Sequence, residues 1–326
     1  MRGHRVDALQ YCAWSRKIFE EMRAGGLDAV HATIAYHENF AGVVDNLKAW
    51  NRLLAENADL VFLGSSATDI RKARATGRTA VFFGFQNPAP VEMDLGMLEF
   101  YHKLGVRFMQ LTYNLQSSCG AGWQEPEDGA LTLFGHEVIA EMNRLGMVVD
   151  LSHAGERTTL DAIAHSSRPI AVTHANPREF RETNRNVSRE VIEALRDTGG
   201  MLGLSLYPHH LPSGSETKLT QFSEMAVSVA EMLGEARLGI GSDLCQGQPD
   251  SVVRWMRDGS WTRRTSDAVF PAQPGWFRSN HDWDGIAEGL RAAGLSQSAV
   301  DGVMGENWLN YLEEALQPAS QSEPPN

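Results

Sequence analysis

Two short apolar runs in the middle of the chain each end in a histidine: Val148-Val149-Asp150-Leu151-Ser152-His153 and Ile170-Ala171-Val172-Thr173-His174. The segment between them, GERTTLDAIAHS, has helical spacing. One histidine at a strand end is more often a hydrogen-bonded core or loop residue than a ligand. Two on consecutive strands, one helix apart, point into the same space, and neutral imidazole is a good ligand for zinc and similar ions. A third polar strand end, Gly-Ile-Gly-Ser-Asp243, adds a carboxylate that can bind a metal or move a proton. Other strand ends contribute Tyr11, Glu38, Gln86-Asn87, Tyr113-Asn114 and Tyr207, with His209 and His210 just beyond. His31, His102, His136 and His165 fall on helices or in mid-strand, and read as structural or solvated.

Positioning such residues requires a scaffold that gathers strand ends. Short β-rich runs fall at 6–9, 29–35, 80–86, 107–113, 147–153, 170–174, 201–207 and 238–243, each followed by an amphipathic stretch such as SRKIFEEMRAGG or SREVIEALRDTGG. Strands alternating with helices imply parallel pairing through right-handed crossovers. The expected fold is α/β, a (β/α)8 barrel over 1–317, with extra C-terminal helices in WDGIAEGLRAAG and VDGVMGENWLNYLEEALQ. A doubly wound dinucleotide-binding sheet would carry GxGxxG after its first strand, and none follows 6–9. The polar, proline-rich stretch 318–326 is expected to be disordered.

Composition excludes several classes of partner. The net charge of -12, without a basic cluster, argues against nucleic acid and anionic membrane. No apolar run reaches membrane-spanning length, and the N-terminal residues lack the apolar core of a signal peptide. Cys12, Cys119 and Cys245 form no CxxC pattern and no disulfide framework. A cytoplasmic location is the expectation.

The segments DLSHAG, VTHAN, NRNVSREVIEAL, GIGSD and MGENWLNYL, in this order, resemble the membrane (renal) dipeptidase family of zinc peptidases. The resemblance implies a (β/α)8 barrel with a two-metal site that cleaves dipeptides, tolerates a D-residue on the C-terminal side, and is commonly dimeric. It implies His153 and His174 as ligands of the second metal, Asp243 beside the nucleophilic water, and Arg185 on the substrate carboxylate. An arginine suits that role because its planar fork meets a carboxylate bidentately.

This chain departs from the family where the first metal would sit. The first-strand histidine and aspartate are replaced by Leu9 and Tyr11, the bridging glutamate by Gln86, and the carbonyl-polarising histidine by Tyr113. A neutral amide cannot neutralise two dications as a bridge. At most one divalent metal, zinc foremost, is therefore expected, on His153 and His174 with Asp243 or Gln86. Glu38 is a candidate replacement ligand or general base, or else an exposed loop acid. Tyr11, Tyr113 and Asn87 are expected to line the substrate space. Two functions follow: a reduced metallohydrolase acting on a dipeptide or small N-substituted amino acid, or a repurposed barrel that binds a small carboxylated molecule or runs a non-hydrolytic acid/base step.

Overall fold

A computed structural model describes residues 2–259, 262–263 and 266–318 of the protein. The expected disordered stretch lies outside them from residue 319 onward. The strands are β1 (Val6–Gln10), β2 (Ala29–Ala35), β3 (Val61–Leu63), β4 (Thr79–Phe85), β5 (Val106–Gln110), β6 (Val148–Asp150), β7 (Ala171–Val172), β8 (Met201–Leu204) and β9 (Leu238–Ile240). All pairings are parallel, in the order β1-β2-β4-β5-β6-β7-β8-β9. A parallel bridge from Gln10 to Leu244, with Tyr11 N donating to Leu244 O at 3.0 Å, joins the two ends of this order and rounds off the barrel. Helices cover the outside. Their apolar faces pack on strands that are buried on both sides, which is why β4 reads as an almost unbroken apolar run.

Several short elements escaped the sequence reading, among them β3 and a helix after the last strand. β3 is too short to show a period; it pairs with the first half of β4 (Val61↔Thr79), before β5 takes over at Phe83↔Val106. A helix, Asp250–Asp258, follows the last strand and lays Val253 and Met256 over the barrel mouth.

The strands also stop earlier than the apolar runs suggest. β6 ends at Asp150 and β9 at Ile240, short of His153 and Asp243. Those two residues, and Asn114 after β5, have positive φ (70°, 55° and 62°). A non-glycine residue in that region cannot continue a ladder, so the chain turns inward there and aims the side chain into the barrel.

The opposite end is plugged. The last expected helix is divided into Gln297–Asp301, a π-turn Gly302–Glu306, and Asn307–Ala315. Its Trp308, Leu309 and Leu312 pack inside the barrel against Val6, Ala29, Phe82 and Phe108. Trp308 Nε1 donates to Ile240 O at 3.1 Å. Gly239 makes room for it, because a Cβ there would lie 2.1 Å from that nitrogen.

Candidate active site

The βα-loop end of the barrel brings His153 and His174 together. Their Nε2 atoms are 3.1 Å apart and their rings lie 5.1 Å centroid to centroid. Burial, reinforced by the Arg185 guanidinium, pushes both imidazole pKas well below the ordinary value, so both are neutral at pH 7. Asn114 Oδ1 lies 2.7 Å from His153 Nδ1 and also accepts from Trp123 Nε1 at 2.7 Å. Beneath His174 sits Asp150, fully buried. It accepts from Ser152 N, Ser152 Oγ, Thr173 N, Thr173 Oγ1 and Gln110 Nε2 at 2.5–3.0 Å.

Arg185 arrives on the loop after β7. Asn186 fixes that loop by donating to Arg181 O and His210 O, both at 3.1 Å. Arg185 as a whole is 6% exposed; one guanidinium nitrogen, Nη2, donates to His174 O at 2.9 Å, while Nε and Nη1 have no partner among the described residues. A buried charge with two idle donor nitrogens is a site built for an anion. Asp243 lines the same cavity of about 110 Å³, and burial pushes its carboxyl pKa up to about 7 despite the opposing pull of Arg185. Tyr113 and Gln86 complete the inner wall, and the Tyr113 ring lies 4.5 Å from that of His153.

Three expected site residues are elsewhere. Glu38 caps the loop after β2: it accepts from Tyr36 N at 2.6 Å and Asn46 Nδ2 at 3.0 Å. With Tyr11 it lines a separate cavity of about 410 Å³, beside Trp14 and Trp50. The Tyr36 ring, edge-on to both Tyr11 (4.8 Å) and Tyr113 (4.9 Å), stands between that cavity and the central one. Asn87 accepts from Ala89 N at 3.1 Å and serves its own turn. Their strand-end positions gave no sign of which way they turn.

Other residues went unassigned in the sequence. Asp150 and Thr173 were visible as polar residues inside apolar runs, a signal of buried hydrogen bonding. Asn114 was visible as a polar strand end. Arg257, from the helix over the mouth, and His210, whose Nδ1 lies 2.7 Å from Ser205 Oγ, also line the cavity. Arg257 carried no local signal.

The donor set fits two ligand positions of one metal ion: nitrogens about 2.0–2.1 Å from a zinc can stand near this separation. It does not fit a two-metal centre. Leu9 is fully buried and offers no donor, Tyr11 lines the other cavity, and Gln86 donates its amide to Thr33 Oγ1 (2.8 Å) and Tyr36 OH (2.7 Å). Among the described residues, no three His, Cys, Asp or Glu side chains converge as a metal cluster.

Comparison with known proteins agrees with this barrel. The chain is 35% identical to an amidohydrolase from Pseudomonas aeruginosa whose crystal structure superposes with a TM-score of 0.92, over 96% of this chain and 97% of that one. A metallo peptidase from Rhodobacter sphaeroides, crystallised with a phosphinate mimic of L-Ala-D-Ala, shares the fold at 17% identity and a TM-score of 0.81, over 97% of this chain and 100% of that one. An uncharacterized dipeptidase of Schizosaccharomyces pombe is 30% identical over 207 residues, 61% of this chain and 50% of the relative. The chain thus spans about half the length of that curated relative, and 58% of a dipeptidase of Aspergillus oryzae. Residues 15–259 match the membrane dipeptidase family, peptidase family M19, and the chain belongs to that family.

Proposed function

We propose that the protein hydrolyses the amide bond of a small dipeptide or N-substituted amino acid that carries a free carboxylate, using a reduced site with at most one metal. The observation that carries this reading is the buried Arg185 with two unpartnered nitrogens, next to a carboxyl whose pKa is near 7. Arg185 holds the substrate carboxylate and so fixes the scissile bond over Asp243. Asp243 takes the proton of the attacking water and returns it to the leaving nitrogen, giving an acid and an amine; a pKa near the working pH suits both directions of transfer. Tyr113 and the neutral His153 restrict the space around the carbonyl. His153 and His174 would hold a single ion, zinc foremost, which would supply Lewis acidity and a lowered pKa for a nearby water. Relatives named dipeptidase and amidohydrolase support the reaction class. Three free cysteines support a reducing, cytoplasmic setting, and among the described residues no helix is long and apolar enough to cross a membrane.

The apolar side chain of Leu9, and the place of Tyr11 on the other cavity, favour a second reading, a barrel that binds a small carboxylated molecule with little hydrolysis. Elemental analysis of protein purified without chelator, together with turnover of simple dipeptides, separates the two. The hydrolase reading expects up to one metal per chain, abolished by His153→Ala, and slow but measurable cleavage. It also expects Arg185→Lys to weaken carboxylate binding although the charge is kept. Two metals per chain would refute the reduced site, and zero turnover with intact carboxylate binding would select the second reading.

A further inference from the structure

We infer that Thr173 and Asn114 are positioning residues that lock His174 and His153 in the Nδ1–H tautomer, so that two bare Nε2 atoms stand side by side, free to bind one cation. The inference rests on the single-metal reading for its purpose, but the tautomers follow from hydrogen bonds alone.

Each hydroxyl has one proton, and their destinations are fixed by Asp150. Ser152 Oγ donates to Asp150 Oδ1 at 2.8 Å, and Thr173 Oγ1 donates to Asp150 Oδ2 at 2.5 Å. Two backbone N–H groups and the Gln110 amide also point at this carboxylate, so it acts as an acceptor throughout. With its proton committed, Thr173 Oγ1 can only accept from His174 Nδ1, 2.7 Å away. That places the His174 hydrogen on Nδ1 and leaves Nε2 bare.

The same logic holds on the other ring. Asn114 presents an atom that accepts from Trp123 Nε1 at 2.7 Å; an indole N–H cannot accept, so this atom is the amide oxygen. Lying 2.7 Å from His153 Nδ1, it takes that hydrogen as well. His153 Nε2 is then bare and faces His174 Nε2 at 3.1 Å. Two bare nitrogens this close repel, and the fold tolerates them because the partners on the far side of each ring admit no alternative. Partners of this kind around metal-binding histidines fix ring orientation, and their loss typically costs 10- to 100-fold in metal affinity.

The test reads tautomers directly. In metal-free protein labelled with nitrogen-15 in histidine, long-range correlation spectra should show His153 and His174 both as Nδ1–H. Thr173→Val should release His174 towards the Nε2–H form and weaken zinc binding, measured by competition with a chelator, by roughly 10- to 100-fold. Thr173→Ser should restore both. Asn114→Asp, which keeps an acceptor and adds charge, should hold the tautomer and tighten zinc. An Nε2–H signal from either ring in the wild-type protein would overturn the inference, and so would unchanged zinc affinity in Thr173→Val. If the wild-type protein shows both Nδ1–H forms yet binds no zinc, the tautomer lock stands and the metal reading falls.

Discussion

The two halves of the barrel mouth are built from the same backbone plan and opposite chemistry. The half following β5, β6, β7 and β9 gathers Asn114, His153, Arg185 and Asp243 around one cavity, with His174 against His153; Asn114, Arg185 and both imidazoles are each tied to a hydrogen-bond partner. The half following β1, β2 and β4 is aromatic. Tyr11 and Tyr36 stack edge to face there, Tyr36 meets Tyr113 of the other half in the same way, Gln86 holds the Tyr36 hydroxyl, and a separate cavity opens behind Tyr36. A barrel tolerates this division because each βα loop is tethered by its own strand, so one half of a mouth can change its side chains without disturbing the other.

The largest test of that division is to rebuild the aromatic half. Leu9→His, Tyr11→Asp and Gln86→Glu together should raise metal content towards two per chain and dipeptide turnover by roughly a hundredfold or more, since a few kcal/mol of transition-state stabilisation is at stake. Each single change should do little, and all should lower stability by removing the packing on Tyr36. Elemental analysis and steady-state rates decide it; brisk turnover by the unaltered protein would show that one half suffices.

Loosening the polar half comes next. Asp150→Asn puts an amide N–H among donors that converge on a carboxylate, and should cost about 2–4 kcal/mol by denaturant unfolding. A cost under ~1 kcal/mol would mean that the network beneath the histidines is slack.

A smaller effect is pH-dependent. The Asp243 carboxyl is raised to about 7 in the fold from 3.8, so between those values the native state holds a proton that the unfolded state has released. Its stabilising contribution is complete below pH 3.8 and is lost as pH rises through 7. Asp243→Asn removes that loss. The variant's stability relative to wild type should therefore grow from pH 4 to pH 7, by at most about 1.4 kcal/mol per unit. The buried histidines titrate in the opposite sense, losing stability as pH falls below 6.5, but they are common to both proteins and cancel in the difference. A flat difference would place Asp243 in contact with water.

The smallest expected change is Glu38→Gln. Its carboxylate serves Tyr36 N and Asn46 and faces the other cavity, so carboxylate binding and turnover should stay within about twofold while stability drops by about 1 kcal/mol. A tenfold loss of turnover would bring Glu38 back into the site.

The barrel and the polar half were legible in the sequence for one reason. Apolar runs ending in His153, His174 and Asp243 mark strand ends, and in a parallel barrel all strand ends share one face. The order of the family's motifs led to the same residues. Direction was not legible. Tyr11, Glu38 and Asn87 sit at strand ends as surely as His153 does, but a turn of one residue sends each away from the cavity, and no local pattern encodes that turn. The left-handed backbone at Asn114, His153 and Asp243 was equally hidden: these residue types adopt it more readily than other non-glycines, but still at a minority of positions, and the structure around them selects which.

By itself, then, the amino-acid sequence determined the alternation of strand and helix, the histidine pair and the presence of Leu9, Tyr11 and Gln86, none of them an imidazole or a carboxylate, at the ends of the first and third expected strands. These are properties of residue type and period, which act locally. Only the tertiary structure decided that Asp150 and Thr173 stand beneath His174, that Arg185 is buried with idle donors, and that Tyr36 walls one cavity from the other. Those facts depend on contacts between strands far apart in the chain, and the free energy that selects them comes from burial and hydrogen bonding that no segment can realise alone.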